Sequence, residues 1–446
     1  MIPSSVQSLS GWGRHPVETC RVYRPEKVSE VAGILAGRPE GGAVPRGLGR
    51  AYGDAALNAG GAVVSHLRLN RMLAFDPETG VLEAEGGVSF ADVVDTFLPR
   101  GWFLPVTPGT RHVTLGGAIA CDVHGKNHHR DGTLGRFVES FRLATPARGV
   151  LHCSREENAD VFRATLGGMG LTGAVLSARL RLMRVESARI TMDQSRTRSL
   201  EESLERFAED DGWRYSVAWV DALARGRSLG RGVLMRGDHA PASAVSGDPF
   251  ARKGGGRLRV PLDAPALALN RLTVGAFNRA YHALHGDRRG ASVGIDPFFY
   301  PLDGVRDWNR LYGRRGFAQH QSVVPPGAVD ALAGLLERAA RSGRASFLAV
   351  LKRFGPAGEG LLSFPMEGYT LALDFPAGSG LDALLADLDR IVLDAGGRVY
   401  LAKDAALGPE AFAAMYPDAD RFREVRASVD PEGVLRSSLA RRVGLA

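Results

Sequence analysis

Residues able to move protons or steady charge crowd into a few short stretches of the chain. The densest is CDVHGKNHH, where Asp122, His124, Lys126, Asn127 and His128 fall within seven positions. An imidazole can accept a proton, and an ammonium can stabilise negative charge as it develops. This polar run follows an apolar, glycine-rich segment that starts at Thr107, TPGTRHVTLGGAIA. Gly116 and Gly117, followed by small residues as far as Cys121, let a backbone approach a flat ligand closely. A second glycine-rich stretch, VPRGLGRAYGDAALN, lies upstream at 44–58, and a third, GGMGLTG, downstream at 167–173. Together they read as three sides of one large cofactor site. None has the spacing of a Rossmann turn or a P-loop.

Further candidates lie in the second half. The pattern there reads β-α-β-β-α-β: strands at 319–324, 347–351, 369–375 and 399–401, with helices between them capped by proline, serine and glycine. It predicts an antiparallel sheet with helices on one face, leaving the other face free to roof a ligand. The period of two then sorts the side chains. Tyr369, Leu371, Leu373 and Phe375 share one face; Thr370, Ala372 and Asp374 share the other, as do Gln319 and Gln321. That polar face reads as the wall of a site. Lys352 follows the second strand, and Lys403, in YLAKD, follows the last.

The first ~185 residues mix short strands and helices without a doubly wound repeat. They open β-α, at Cys20–Tyr23 and then Val28, Val31, Ile34 and Leu35 at helical spacing. Hairpins are predicted at DPETG and at Pro146–Gly149, and a helix capped by Asn158 runs to Leu166. The stretches 236–265 and 285–294, rich in glycine, proline and charge, read as mobile surface loops.

The chain's 446 residues suit two domains, and 44% hydrophobic residues suffice for real cores. The net charge of +7 is diffuse, with no recognition motif, which argues against nucleic acid as a partner. Three cysteines, Cys20, Cys121 and Cys153, are too few for a disulfide framework and point to a reduced compartment. The N-terminus lacks a basic start with an apolar run, so no signal peptide is expected, and no apolar run is long enough to span a bilayer. No metal site is expected.

RGLGRAYGD, then PGTRHVTLGGAIACDVHGKNHH, then GGMGLTG, together resemble flavoenzymes of the vanillyl-alcohol-oxidase family. CDVHGKNHH and LAKD are specific to the subgroup that oxidises polyprenyl-phosphoryl-ribose. The likeness runs from GWGR at Gly11 to the tail LARRVGL. It implies an α+β, two-domain fold: an FAD-binding domain from 1–187 and 398–446, and a substrate domain at 188–397. It implies FAD, a sugar-lipid substrate, and oxidation of its 2′-hydroxyl to a ketone as the first half of an epimerisation. A keto-reductase partner, a cytoplasmic location and contact with the inner face of the membrane follow from the same likeness. An FAD oxidase of a soluble sugar, alditol or nucleoside in a secondary-metabolite pathway stays open.

The resemblance also assigns roles. Lys403, Lys126, His124 and Gln321 would be catalytic. Gln319, Lys352, Thr370, Ala372, Phe299 and Tyr52 would bind substrate. The cofactor would be held by Arg46, Gly47, Leu48, Gly49, Arg50, Ala51, Tyr52, Gly53 and Asp54, with its pyrophosphate on the backbone N–H groups of 47–53. Gly109, Thr114, Gly116, Gly117, Cys121, His124, Gly125, Asn127, Gly173 and Tyr400 complete that set. Two departures stand out. Ala51 occupies the place where covalent relatives carry a flavin-bonded histidine, so FAD is expected to bind non-covalently. Thr370, Ala372 and Phe299 stand where the subgroup has asparagine, cysteine and tyrosine, which bears on substrate identity.

Overall fold

A computed structural model describes every residue except Met1, 210–211, 253–257, 266–267 and 345–346. Its chain builds three principal sheets. The first has strand order β1-β2-β4-β3, from β1 (Ser4–Ser10), β2 (Val17–Tyr23), β3 (Ala43–Arg46) and β4 (Ala62–Ser65). β2, β4 and β3 run parallel. A parallel neighbour needs a crossover, and the helix Val28–Ala36 supplies it, burying Val31, Ile34 and Leu35.

The second sheet uses β5 (Met72–Asp76) and β6 (Val81–Glu85), the hairpin turned by DPETG. A short strand, β7 (Trp102–Phe103), precedes β8 (Val138–Thr145), β9 (Gly149–Ser154) and β10 (Ala174–Arg181). The order is β5-β6-β10-β8-β9. The helix Ala159–Thr165 follows Asn158, but Asn158 adopts a left-handed conformation and makes no side-chain cap. Its amide instead bonds the His152 carbonyl at 2.7 Å.

The third sheet has eight strands, wider than the βαββαβ pattern predicts. After β11 (Met183–Arg184), which pairs with β7, come β12 (Arg189–Thr197), β13 (Tyr215–Val220) and β14 (Gly232–His239). Then come β15 (Leu258–Arg259), β16 (Arg288–Gly294) and β17 (Val305–Arg306). The last four are β18 (Phe317–Val324), β19 (Ala349–Phe354), β20 (Gly368–Pro376) and β21 (Arg398–Val399). The order is β16-β12-β14-β13-β19-β20-β18-β21. Helices Val329–Arg341 and Leu381–Asp394 pack on the face bearing Leu371, Leu373 and Phe375.

Two expectations from composition fail here. Residues 236–239 belong to β14 and 288–294 form the edge strand β16, so neither is a loop. Backbone pairing with β12 overrides their glycine and arginine content. Part of the remaining stretch, 253–257, lies outside the described residues. Lys352 lies within β19 rather than after it.

After β21 the chain returns to the first sheet. Ala43 pairs with Leu435, and the N–H of Arg436 donates to the Ala43 carbonyl at 2.9 Å. The tail ends in the helix Ser438–Arg442. The Arg442 guanidinium binds Asp54 at 2.7 Å and Asp404 at 2.7 Å. Both carboxylates are almost fully buried. Removing the cation strands two buried charges, which costs about 3–5 kcal/mol. Arg442→Met should therefore lower unfolding stability by about that amount and loosen flavin retention, read by urea denaturation and flavin-to-protein ratio; a loss under about 1 kcal/mol would contradict this.

A cavity with a glycine wall, a cationic end and an apolar arm

The loop 46–54 leaves β3 and lies against the segment after β21. The N–H of Tyr52 donates to the Ala402 carbonyl at 2.9 Å. Gly53 permits this contact, since a Cβ there would lie 1.9 Å from the Asp404 carbonyl oxygen. The N-terminal GWGR closes the other side, with the Trp12 N–H on the Ala51 carbonyl at 2.8 Å. Among the described residues, no protein acceptor is seen for the backbone N–H groups of Gly47, Leu48, Gly49, Arg50 and Ala51. Successive free N–H groups of this kind suit an anion. Arg46 braces the loop, donating to the Ala56 carbonyl at 3.0 Å and the Ser10 carbonyl at 2.7 Å. Arg50 lies over the Trp12 ring at 3.9 Å, with its buried Nε unpartnered.

Loops 46–52, 107–126 and 169–173 all line one cavity of ≈ 480 Å³. Thr114 packs on Gly47, where a Cβ would come within 2.1 Å of its hydroxyl. A methyl on Gly109 would meet no protein atom within 4 Å. Gly116, Gly117, Cys121 and Gly125 share one wall of the cavity, and their lack of bulk lets a planar ring system approach the backbone. Burial pushes the Cys121 thiol up to about 12, so it offers packing rather than a thiolate. The Tyr400 hydroxyl donates to the Cys121 carbonyl at 3.0 Å.

Not every predicted residue reaches the cavity. Asp54 is engaged by Arg442 below the loop. Asn127 is buried, donating to the Pro105 carbonyl at 2.8 Å and to Asp131 at 2.6 Å. Gly53 and Thr370 stand just behind the lining, the latter under Gln321.

The opposite wall is the free face of the third sheet, and its register sets what it presents. Gln319 faces Asp374, Gln321 faces Ala372, Val350 faces Ala372 and Lys352 faces Thr370. Continuing outward, Trp219 faces Val350, and Val217 faces Met235. One sheet face therefore runs from polar (Gln319, Gln321, Lys352) to apolar (Val350, Trp219, Val217, Met235). Phe277, Tyr281, Phe347 and Leu348 line the same apolar arm. The sequence signal for this arm was poor. β13, YSVAWV, is buried at all six positions, so no alternation marks which residues face a ligand.

Charge gathers at the polar end. Burial, reinforced by Lys352, lowers Lys126 to about 7. Burial alone lowers Lys352 to about 8. Lys403 is lowered to about 7 by burial and Lys352, against the pull of Asp374. Burial raises Asp374 to about 7, opposed by Gln319 and Lys403. Gln319 donates to Asp374. The Lys403 ammonium stands over the Tyr52 ring at 3.6 Å from its centroid. Lys126 donates to the Phe298 carbonyl, and Phe299, the next residue, lines the cavity. His124 is held well below its ordinary value by burial, then by Lys352, His128 and Lys403, so it is neutral. The Gln321 amide lies 3.0 Å from His124 Nε2 and donates to Thr370 at 3.2 Å, while His124 Nδ1 is buried without a partner.

These walls fit FAD: a free-amide cradle for the pyrophosphate, a glycine-lined wall for the ring, and cations where a reduced ring gathers charge. The FAD binding domain family matches residues 21–154, the segment that supplies the first two loops. The D-arabinono-1,4-lactone oxidase family matches 376–443. Fold and cavity thus define an FAD-dependent oxidoreductase of the vanillyl-alcohol-oxidase type. The chain is 38% identical to the decaprenylphosphoryl-beta-D-ribose oxidase of Mycolicibacterium smegmatis, over 99% of this chain and 98% of that protein, and it belongs to that family. It is also similar to the L-gulono-1,4-lactone dehydrogenase of Mycobacterium tuberculosis, at 24% identity over 97% of this chain and 98% of that one. The L-galactono-1,4-lactone dehydrogenase 2 of Oryza sativa is 29% identical over 39% of this chain and 30% of its own length.

Two predictions follow from the electrostatics and the loop. Ala51 offers no side chain to bond a flavin, so acid precipitation should release all flavin to the supernatant; flavin in the pellet would contradict it. The second concerns protein stripped of flavin. A lysine with a lowered folded value takes up protons more readily when unfolded, so it destabilises the fold at low pH and ceases to as pH approaches its unfolded value. For Lys352 that window runs from about 8 up to about 10.5. Lys352→Met should raise the urea midpoint of flavin-free protein at about pH 6.5, and the gain should shrink by about pH 9.5. A gain independent of pH would point to simple packing.

Proposed function

We propose that the chain oxidises the 2′-hydroxyl of a polyprenyl-phosphoryl-β-D-ribose to the 2′-keto product. The observation that carries this is the graded sheet face, polar beside the glycine wall and apolar beyond it. A sugar needs the first part and a prenyl tail the second. A free sugar, alditol or nucleoside would leave Val217, Trp219, Met235 and Phe277 without a partner. Residues 1–187 and 398–446 carry the cofactor in this reading, and 188–397 carry the substrate.

Bound FAD supplies the electron acceptor. Lys403, Lys126, His124 and Gln321 do the rest at the polar end. Gln321 and Gln319 orient the sugar hydroxyls, with Asp374 and Thr370 holding their amides in place. His124 is neutral and able to accept a hydrogen bond or a proton. Lys403, lowered to about 7, sits between its charged and uncharged forms at neutral pH. It can share the hydroxyl proton and stabilise the charge left beside it. Lys352 and Lys126 add positive potential suited to the substrate's phosphate. The ketone formed calls for a keto-reductase to complete an epimerisation, which places the pair in supply of an arabinan precursor for the cell wall. A lipid substrate places the enzyme at the inner face of the membrane.

The test is a panel of polyprenyl-phosphoryl-ribose and soluble sugars, with bleaching of the flavin absorbance as readout. Reduction by soluble sugars alone would overturn the reading. Lys403→Ala should retain FAD yet slow flavin reduction by about 100- to 1,000-fold, the effect of losing one charge matched to the transition state. A variant within about threefold of the parent would remove Lys403 from the mechanism.

A further inference from the structure

The helix Arg271–Leu284, RLTVGAFNRAYHAL, contains no acidic residue and carries its apolar side chains outward. It buries only Val274 and Asn278. Leu272 is 82% exposed, Leu284 75% and Phe277 46%. At 100° per residue, Ala276, Ala280 and Ala283 fall between these on the same outward face. Water-facing helices normally put polar residues there. Leu258 and Leu262 nearby in sequence are also open, at 71% and 76%. A cluster of large exposed apolar residues marks a contact surface.

Two more observations say what covers it. The first is charge. Arg279, which falls about 20° from Leu272 at the edge of the exposed face, makes no ion pair among the described residues, and Arg288 and Arg289 follow in β16, likewise unpaired. The nearest carboxylate in the helix's own packing, Asp221, is already taken by Arg231 at 2.7 Å and by the Asn278 amide at 2.7 Å. The second is continuity with the cavity. Phe277 belongs to the exposed face and also lines the apolar arm, together with Tyr281. Tyr281 lies tilted against Trp219 with ring centroids 4.6 Å apart, and Phe277 meets Phe347 edge-on at 6.1 Å.

We propose that the outward face of Arg271–Leu284 seats on an anionic lipid surface, with Leu272 and Leu284 entering the acyl boundary and Arg279, at the edge of that face, meeting headgroup phosphates. An in-plane helix of this composition binds through buried apolar area plus attraction to anionic lipid. The apolar arm then opens directly onto the bilayer at Phe277, so a tail can pass from membrane to cavity without crossing water. The link to a tail rests on the sugar-lipid reading; the seating itself does not.

The experiment is flotation of the holoenzyme with phosphatidylcholine vesicles, with and without about 30% phosphatidylglycerol. The parent should float with the anionic vesicles at least about tenfold more than with neutral ones at low salt. Leu272→Glu/Leu284→Glu should lose about tenfold in recovery, and Arg279→Gln should reduce the preference for anionic lipid. Both variants change exposed residues, so flavin content and flavin reduction by a short-prenyl soluble substrate should match the parent. A parent that stays in the bottom fraction with both vesicles, or variants that float like it, overturns the proposal. A dimer in solution that Leu272→Glu/Leu284→Glu dissociates, with no flotation by the parent, overturns it in favour of a second copy. Flotation as expected with no reduction by any prenyl-linked ribose would leave the surface standing and sink the substrate reading instead.

Discussion

Arg442 joins three parts of the chain that are far apart in sequence: the loop at Asp54, the turn at Asp404 and the C-terminal helix. Asp404 directly follows Lys403, and Asp54 follows the loop that bears Tyr52. The ion pair therefore fixes the distance between the amide cradle and the ammonium above it. Asp404 further accepts the N–H groups of Ala406 and Leu407 at 2.8 and 2.9 Å, so its turn is rigid in its own right. A buried arginine between two carboxylates adds little net stability over an apolar trio, but its directional bonds tie the three segments together. Lys403 stands over Tyr52 between the segments this clamp joins.

The polar end of the cavity is electrostatically uneasy without an anion. Lys126, Lys352 and Lys403 are each shifted toward the uncharged form by burial, and Lys352 disfavours both of its neighbours. Asp374 draws Lys403 toward its charged form, and it is itself pushed toward neutrality. A diphosphate cofactor and a phosphate-bearing substrate both relieve that repulsion. Binding and proton affinity are thus coupled here: each anion that enters raises the charge state of the lysines that hold it.

How much of this the sequence disclosed depends on burial. The strand Tyr369–Phe375 has one buried apolar face and one polar face, so its period of two is plain and assigned Thr370, Ala372 and Asp374 correctly to one side. Gln319 and Gln321 were legible for the same reason, although His320 and Ser322 between them are buried too. β13 gave no such sign, because both of its faces are buried along its whole length, and the apolar arm was missed with it. β16 was hidden differently: glycine and arginine suggested a loop, and only pairing along β12 makes it a strand. Asp54 and Asn127 sit within motifs whose neighbours line the cavity, yet their side chains turn into the protein. Sequence proximity located the motif and could not tell which way each residue points.

The registry of β18 has an evolutionary corollary. β18 is hydrogen-bonded on both sides, by β20 and β21, and its odd-numbered positions face the cavity. Inserting or deleting one residue would swap Gln319 and Gln321 for His320 and Ser322 and turn the glutamines toward the helices. Point changes at Thr370, Ala372 or Phe299 disturb no pairing. Lineages of this fold are therefore free to drift in what they recognise by substitution, while changes in strand length are closed to them.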